Sequence, residues 1–391
     1  MSDTPIPETA APAVEFISLT HLNQSTELNP VPTRGVELDF FRRYVRALED
    51  GGYDYTLLPY GSSSADPFVL ASAVGQLTDH LKPIVALRPN TVHPLVAAQQ
   101  LATLDQLTEG RAVVHIISGG SDVEQVRHGD YLSKDERYAR SSEYIDLLRR
   151  AWTEPKAFDH HGTHYRFEGF GPGFAPYGDT IPVSIGGSSD AAFEIGGGQA
   201  DIFSFWGEPL ADIRAQIERV HAIAAAAGRS TRPRIWVTFR PIIDRTEELA
   251  WAKAHEYVDR IASNFQQVLG SDRRFSADPQ NVGSQRALDF ARRGEVYDRA
   301  LWTRTAAATN AAGASTALVG TPETVAAAIV DYIDLGADLV SIRGYDTLND
   351  AIDYGRFVIP LVREELAHRA RTGRRGTLQA DNPGALAGVG A

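Results

Sequence analysis

The sequence predicts an α/β chain folded as an eight-stranded parallel (β/α)8 barrel. Three observations carry that prediction. Eight short, β-branched apolar runs alternate with segments of helical period, and no shift of composition divides the middle of the chain. No G-x-G-x-x-G follows the first apolar run, which leaves a doubly wound sheet as the weaker alternative.

The strands read in order as VEFISLT (14–20), YDYTLLP (53–59), PIVALRP (83–89) and RAVVHIISGG (111–120). IPVSIGG (181–187), DIFSFWG (201–207), RIWVTFRPII (234–243) and DLVSIRGY (338–345) complete the set. Between the first two, Leu38, Phe41, Val45 and Leu48 recur at helical spacing. DPFVLASAVGQLT and PLVAAQQLATLDQLTEG supply the next two helices, and DERYARSSEYIDLLRRAW opens with acids, as the helix dipole favours. KAFDHHGTHYRFEG, within an insertion near 156–170, reads as a hairpin turning at Gly162. The stretch from about 246 to 330 is too long for a simple connection, and its part from about 270 to 315 is expected to form a mobile lid. Residues 1–13 are expected to be disordered, 14–366 to form one domain, and 367–391 to be a tail or an arm reaching a neighbouring subunit.

Composition narrows the function. A hydrophobic content of 43% over 391 residues supports a large core. The net charge of -12 and the lack of a dense basic run before RARTGRR argue against a nucleic-acid surface. Without cysteine there is no disulfide framework, thiolate metal site or cysteine nucleophile. No stretch approaches 18 uninterrupted apolar residues and no signal segment opens the chain, so a soluble cytoplasmic protein, away from membranes, is expected.

In this fold the reactive face is the C-terminal rim of the strands. The residues there are His21, Tyr60 to Ser64, Arg88, Ser118 to Ser121, Gly186 to Ser189, Trp206, Arg240, Arg343 and Tyr345. Carboxylate pairs are missing from that set, which counts against a glycosidase. The turn IGGSSDAAFEIGG runs from a strand into a helix, so its backbone N–H groups suit a phosphate. The alternative is a plain turn in which Ser188 or Ser189 caps the helix.

Several longer segments in order resemble the alkanesulfonate monooxygenase group of the bacterial luciferase-like flavin monooxygenases. They are VALRPNTVHPLVAAQQLATLDQLTEGRAVVHIISGG, DERYARSSEYIDLLRRAW, PVSIGGSSDAA, FWGEP, STALVGTPETVAAAI and the pair Gly344–Tyr345. The resemblance spans residues 14–366 and implies a barrel that takes reduced FMN from a separate NAD(P)H-dependent flavin reductase. It further implies reaction with dioxygen and cleavage of a carbon–sulfur bond, releasing sulfite and an aldehyde, in sulfur metabolism. It places the phosphate on Ser188, Ser189 and the Gly187 backbone, with Tyr138 donating its hydroxyl. His21, Ser64, Ser118 and Trp206 then line the flavin and substrate cavity, and Tyr345 matches a tyrosine of the catalytic pocket. Members are commonly homodimers or homotetramers.

The substrate half departs from the resembled pattern. Thr238, Phe239 and Arg240 stand where sulfonate enzymes have an arginine, an apolar residue and a histidine. Asp346 and Thr347 replace a proline and a histidine, Arg343 replaces a small residue, and Ser64 a cysteine. The lid arginine falls near Asn310, with Arg304 the nearest basic residue. Arg240 and Arg343 are either ion-paired strand-end arginines or, facing a pocket together, a planar clamp for a small anionic organic substrate. His160, His161 and His164 have a metal-like spacing, but on a hairpin they alternate across two strands, so no metal is expected. A sulfone, a carboxylate or a natural product remain as alternative substrates, and a non-catalytic flavin-binding protein as the alternative function.

Overall fold

The computed structural model describes residues 14–32, 35–171, 173–269, 279–311 and 316–373, with residues 376 and 378. Eight parallel strands close into a ring: β1 (Glu15–Leu19), β2 (Tyr55–Leu58), β3 (Lys82–Leu87), β4 (Val113–Ile116), β7 (Val183–Gly186), β8 (Ile202–Trp206), β9 (Arg234–Ile243) and β13 (Leu339–Ile342). Closure is made where Phe16 of β1 registers with Val340 of β13. Each expected strand is present, so the fold is the predicted barrel.

Alternation along the strands builds two layers. Ile17, Tyr55, Ile84, Val113, Ile202, Trp236 and Leu339 fill the interior, while the opposite faces, with Phe16, Val85, Val114 and Val340, pack outward against the helices. The helices begin where capping chemistry dictates. Asp66 caps Pro67–Leu77 by accepting from the N–H groups of Phe68 and Val69. Ser133 and Glu136 form a reciprocal capping box on Lys134–Thr153. The insertion is the expected hairpin, β5 (Phe158–His161) with β6 (Arg166–Phe170), and the Gly162 N–H donates to Tyr165 O. Its His160 pairs with Glu143 at 2.8 Å, and no group of three metal-ligating residues exists among the described residues.

The seventh barrel strand, β9, is longer than its neighbours. Its first half pairs with β8 and β13, and from Arg240 to Ile243 it pairs with β12 (Ala317–Gly320), a strand that sequence reading did not separate from the long stretch of about 246 to 330. A small hairpin, β10 (Val296–Tyr297) and β11 (Leu301–Trp302), continues that satellite sheet antiparallel. The helix expected from TEELAWAKAHEYVDRIASNF is present at Glu247–Leu269, and the described part of the expected lid is largely built structure, with a helix at Val282–Arg293 and a short one at Arg304–Ala308. Trp302 is fully buried there, and its truncation to alanine would cost about 3–5 kcal/mol. Ala287, Ala306 and Ala311 form a separate apolar contact that seats the short helix. Residues 270–278 and 312–315 of that region lie outside the described residues, as do 1–13 and most of the expected tail. The last helix, Ile359–Thr372, runs six residues past the expected domain end at 366.

Candidate active site

The GGSS turn forms one wall of a cavity of ≈ 270 Å³ at the rim of the barrel. Ser118, Gly119, Gly120, Lys134, Tyr138, Gly186, Gly187, Ser188, Ser189, Ser204 and Trp206 line it, and Asn281, Val282 and Gly283 close it from the opposite side. Gly187 has φ +151°, and a Cβ there would stand 2.7 Å from Ala192 Cβ and 3.1 Å from the Tyr138 hydroxyl. Only glycine leaves that space open. Ser189 is the helix cap of the plainer reading: its Oγ accepts the Ala192 N–H at 3.4 Å at the start of Asp190–Gln199, and its hydroxyl also reaches Tyr138. Burial raises the Tyr138 phenol above its ordinary value, with Ser189 and Arg137 pulling the other way, so it remains a donor at neutral pH.

Ser118 has a narrower role. Ser141 donates to Arg137 O at 2.9 Å, so the 2.8 Å contact between the serines is a donation from Ser118, which offers a ligand only lone pairs. Arg137 fixes this wall by donating to Ser118 O, Leu132 O and Asp122. Gln280 ties the closing segment to the same wall, accepting the Asp122 N–H at 2.9 Å.

A second group of polar residues lies around the ends of β1, β9 and β13. Arg240 stands where β9 leaves the barrel and is 3% exposed. Its Nη2 lies 2.6 Å from Glu27 Oε2 and donates to Gly344 O at 3.2 Å, and the guanidinium carbon sits 3.7 Å from the Tyr345 ring centre. Burial disfavours the Glu27 carboxylate, but Arg240 in contact and Arg343 nearby outweigh it and hold the group down to about 2. Arg343 is lowered to about 10 by burial and by Arg240, with Glu27 opposing. Burial first, then both arginines, push His21 down to about 3, so it is neutral at physiological pH. Buried Nε and Nη1 of Arg240 and His21 Nε2 have no hydrogen-bond partner among the described residues, and the hydroxyls of Tyr345 and Thr305 have none there besides each other. Such a concentration of unsatisfied groups calls for a polar ligand or water. Asp350 holds the Tyr345 turn by accepting the N–H groups of Tyr345 and Asp346.

Residues 15–339 match the family described as luciferase-like monooxygenase. The chain belongs to the luciferase-like monooxygenase family.

Among solved structures, this luciferase-like chain is similar to riboflavin lyase RcaE, described with modified FMN and riboflavin as substrate, at 21% identity and TM-score 0.71, covering 90% of this chain and 91% of that one. It is similar to the EDTA monooxygenase EmoA from Chelativorans sp. BNC1 at 21% identity and TM-score 0.71, covering 92% and 98%. DmoA from Hyphomicrobium sulfonivorans follows at 20% identity and TM-score 0.70, covering 93% and 89%. At such identities the likeness is one of fold.

Within the luciferase-like barrel, Ser118, Tyr138, Gly187, Ser188, Ser189 and Trp206 come together in the cavity of ≈ 270 Å³. Trp206, expected among catalytic residues, lines this cavity at the end of β8. Ser64 lies with His21 in a separate cavity of ≈ 490 Å³. Arg240, Arg343 and Tyr345 do converge, joined by His21. Of the two sequence readings, Arg240 fits the ion-paired strand-end arginine, because Glu27 holds one of its nitrogens. Glu27, Lys134, Asn281, Gly283 and Thr305 were missed. Lys134 had a signal, since it lies one helical turn before Tyr138 on the same helix.

Proposed function

We propose that the chain is a two-component, FMN-dependent monooxygenase. Reduced FMN comes from a separate NAD(P)H-dependent flavin reductase, dioxygen is the co-substrate, and a small anionic organic molecule is oxygenated. The observation that carries the reading is the cavity at Gly187–Ser189. Its open backbone, two serine hydroxyls, the Tyr138 phenol and the Lys134 ammonium fit the phosphate of a mononucleotide. A space of ≈ 270 Å³ suits a phosphate arm and not a whole cofactor, so the ring belongs toward the barrel mouth.

Bound reduced flavin supplies the electrons that activate dioxygen. Gly187, Ser188 and Ser189 hold the phosphate with Tyr138 and Lys134, and Ser118 accepts from a sugar-chain hydroxyl. Asn281 to Gly283 cover this end and keep water out, as oxygen chemistry of this kind requires. Arg240 and Arg343 hold the anionic head of the substrate, and the Tyr345 hydroxyl donates a hydrogen bond where charge develops.

The substrate is an organosulfur compound in the first reading, an alkanesulfonate cleaved to aldehyde and sulfite. The Glu27 carboxylate seated on Arg240 favours a second reading, a carboxylate-bearing substrate. The enzyme works as a cytoplasmic homodimer or homotetramer in either case. Purified protein supplied with FMN, a reductase, NADH and air decides between them. Sulfite from a sulfonate panel supports the first reading and oxygenated product without sulfite the second. Tight FMN binding without product from any acid makes the chain a flavin carrier.

A further inference from the structure

Glu208 of the FWGEP motif stands two residues past Trp206, just beyond β8, and is 3% exposed without lining the cavity of ≈ 270 Å³. Its place on the barrel is fixed from several sides. Tyr332 donates to Glu208 O at 2.8 Å, Gln216 donates to Oε2 at 2.7 Å, and Thr316 Oγ1 donates to the preceding carbonyl, Gly207 O, at 2.7 Å. Gly207 lies so close to the Phe239 ring that a Cβ would stand 2.3 Å from it. The carboxylate is therefore a fixed point of the barrel.

Arg286 of the helix Val282–Arg293 comes to that point with a two-pronged contact, Nε to Oε1 at 2.8 Å and Nη2 to Oε2 at 2.5 Å. Asp212 lies 3.5 Å from the same Nη2, and Asp289 adds attraction from the helix itself. The helix has a narrow packed face, since Ser284, Ala287 and Phe290 are its buried residues. One turn before Arg286, Val282 lines the cavity together with Asn281 and Gly283. A Cβ on Gly283 would lie 3.5 Å from Ser188 Oγ and 3.8 Å from Trp206. Residues one turn apart share a face of a helix, so a pull on Arg286 is a pull on the end that closes the cavity.

We infer that Glu208 is a positioning residue for the cofactor: through Arg286 it holds Asn281 to Gly283 against the mouth of the cavity, so that bound FMN leaves slowly. A guanidinium fork on a carboxylate fixes direction as well as distance, which is what a cover of small residues needs. The inference rests on reading the cavity as the phosphate seat.

Stopped-flow displacement of FMN and amide hydrogen exchange test it on the full chain, in Arg286→Met, Glu208→Gln and the variant carrying both. Arg286→Met is expected to raise the FMN dissociation rate about tenfold, the scale of a charge-assisted hydrogen bond, without lowering the association rate. Exchange over residues 281–290 is expected to speed up, while that of the helix Lys134–Thr153 stays as in wild type. The double variant leaves neither charge unpaired, which guards against poor folding of a single one, and is expected to match Arg286→Met instead of multiplying the two single effects. Riboflavin, which lacks the phosphate, is expected to keep its wild-type affinity throughout. An unchanged FMN dissociation rate, unchanged exchange over 281–290, a fall in association rate, multiplied effects in the double variant or an equal loss of riboflavin overturns the proposal. A wild type that binds FMN, with variants that release it at the same rate, loses only the role of Glu208, and a wild type that binds no FMN loses the proposed function.

Discussion

The Gly187 backbone approaches the Tyr138 hydroxyl so closely that a Cβ on Gly187 would lie 3.1 Å from that oxygen. The same atom would meet Ala192 Cβ at 2.7 Å in a backbone conformation that side chains rarely adopt. Gly187→Ala is relieved only by moving the turn, at roughly 3 kcal/mol. FMN affinity is expected to fall about a hundredfold, with far-UV circular dichroism unchanged. Wild-type affinity in that variant places the phosphate elsewhere.

Lys134 and Tyr138 line one wall of the cavity from the same helix. Lys134→Gln is expected to weaken FMN by about tenfold, the scale of a charge-assisted contact, and to flatten the salt dependence of binding. Riboflavin, which lacks the phosphate, binds wild type and variant alike. Fluorescence titration of both ligands checks this.

Arg240 and the phosphate cavity belong to different groups of residues, so their losses should separate. Arg240→Lys keeps a charge against Glu27 but removes the planar fork. KM for the anionic substrate is expected to rise about tenfold or more, with the FMN dissociation constant within twofold of wild type. Parallel loss of both would remove Arg240 from the substrate end.

His21 is held neutral down to about pH 3, against 6.5 in the unfolded chain. Between those values the unfolded chain binds the additional proton, so this residue's contribution to stability falls as pH drops from 6.5 toward 3. Its imidazole is expected to show no NMR titration above pH 5, and His21→Gln to unfold at lower pH than wild type. A midpoint near 6.5 would mean that the ring is solvated.

Gln280 joins the closing segment to Asp122, and Asp122 to Arg137. Gln280→Ala should raise the FMN dissociation rate several-fold, by loss of about 1 kcal/mol of hydrogen bonding. Stopped-flow displacement measures it, and an unchanged rate would show that this link does not retain the cofactor.

The barrel was legible because its signals are local. Alternating strands such as VEFISLT and IPVSIGG announce a buried face at period two, and the capping residues Asp66 and Ser133 mark helix starts within a few positions. The cavity wall at Gly187–Ser189 was legible for the same reason, since its residues are contiguous. Glu27 gave no such sign. It reaches Arg240 across more than two hundred residues of chain, through a loop whose path is set by Asn264 and Leu28. Strand β12 was overlooked because ALVG follows directly on the small-residue run RTAAATNAAGAST, which masks its start, and it is defined by its partner on β9.

That partner strand is one continuous rod of ten residues gripped by two sheets, with Arg240 at the joint. Leverage follows from this arrangement. A tilt of the outlying sheet moves the arginine at the joint and, through the Thr316 hydroxyl on Gly207 O, the strand end that carries Trp206. Val282 and Gly283, which begin one of the outlying helices, line the cavity beside Ser188, so reshaping that part of the chain is expected to alter both groups of residues together.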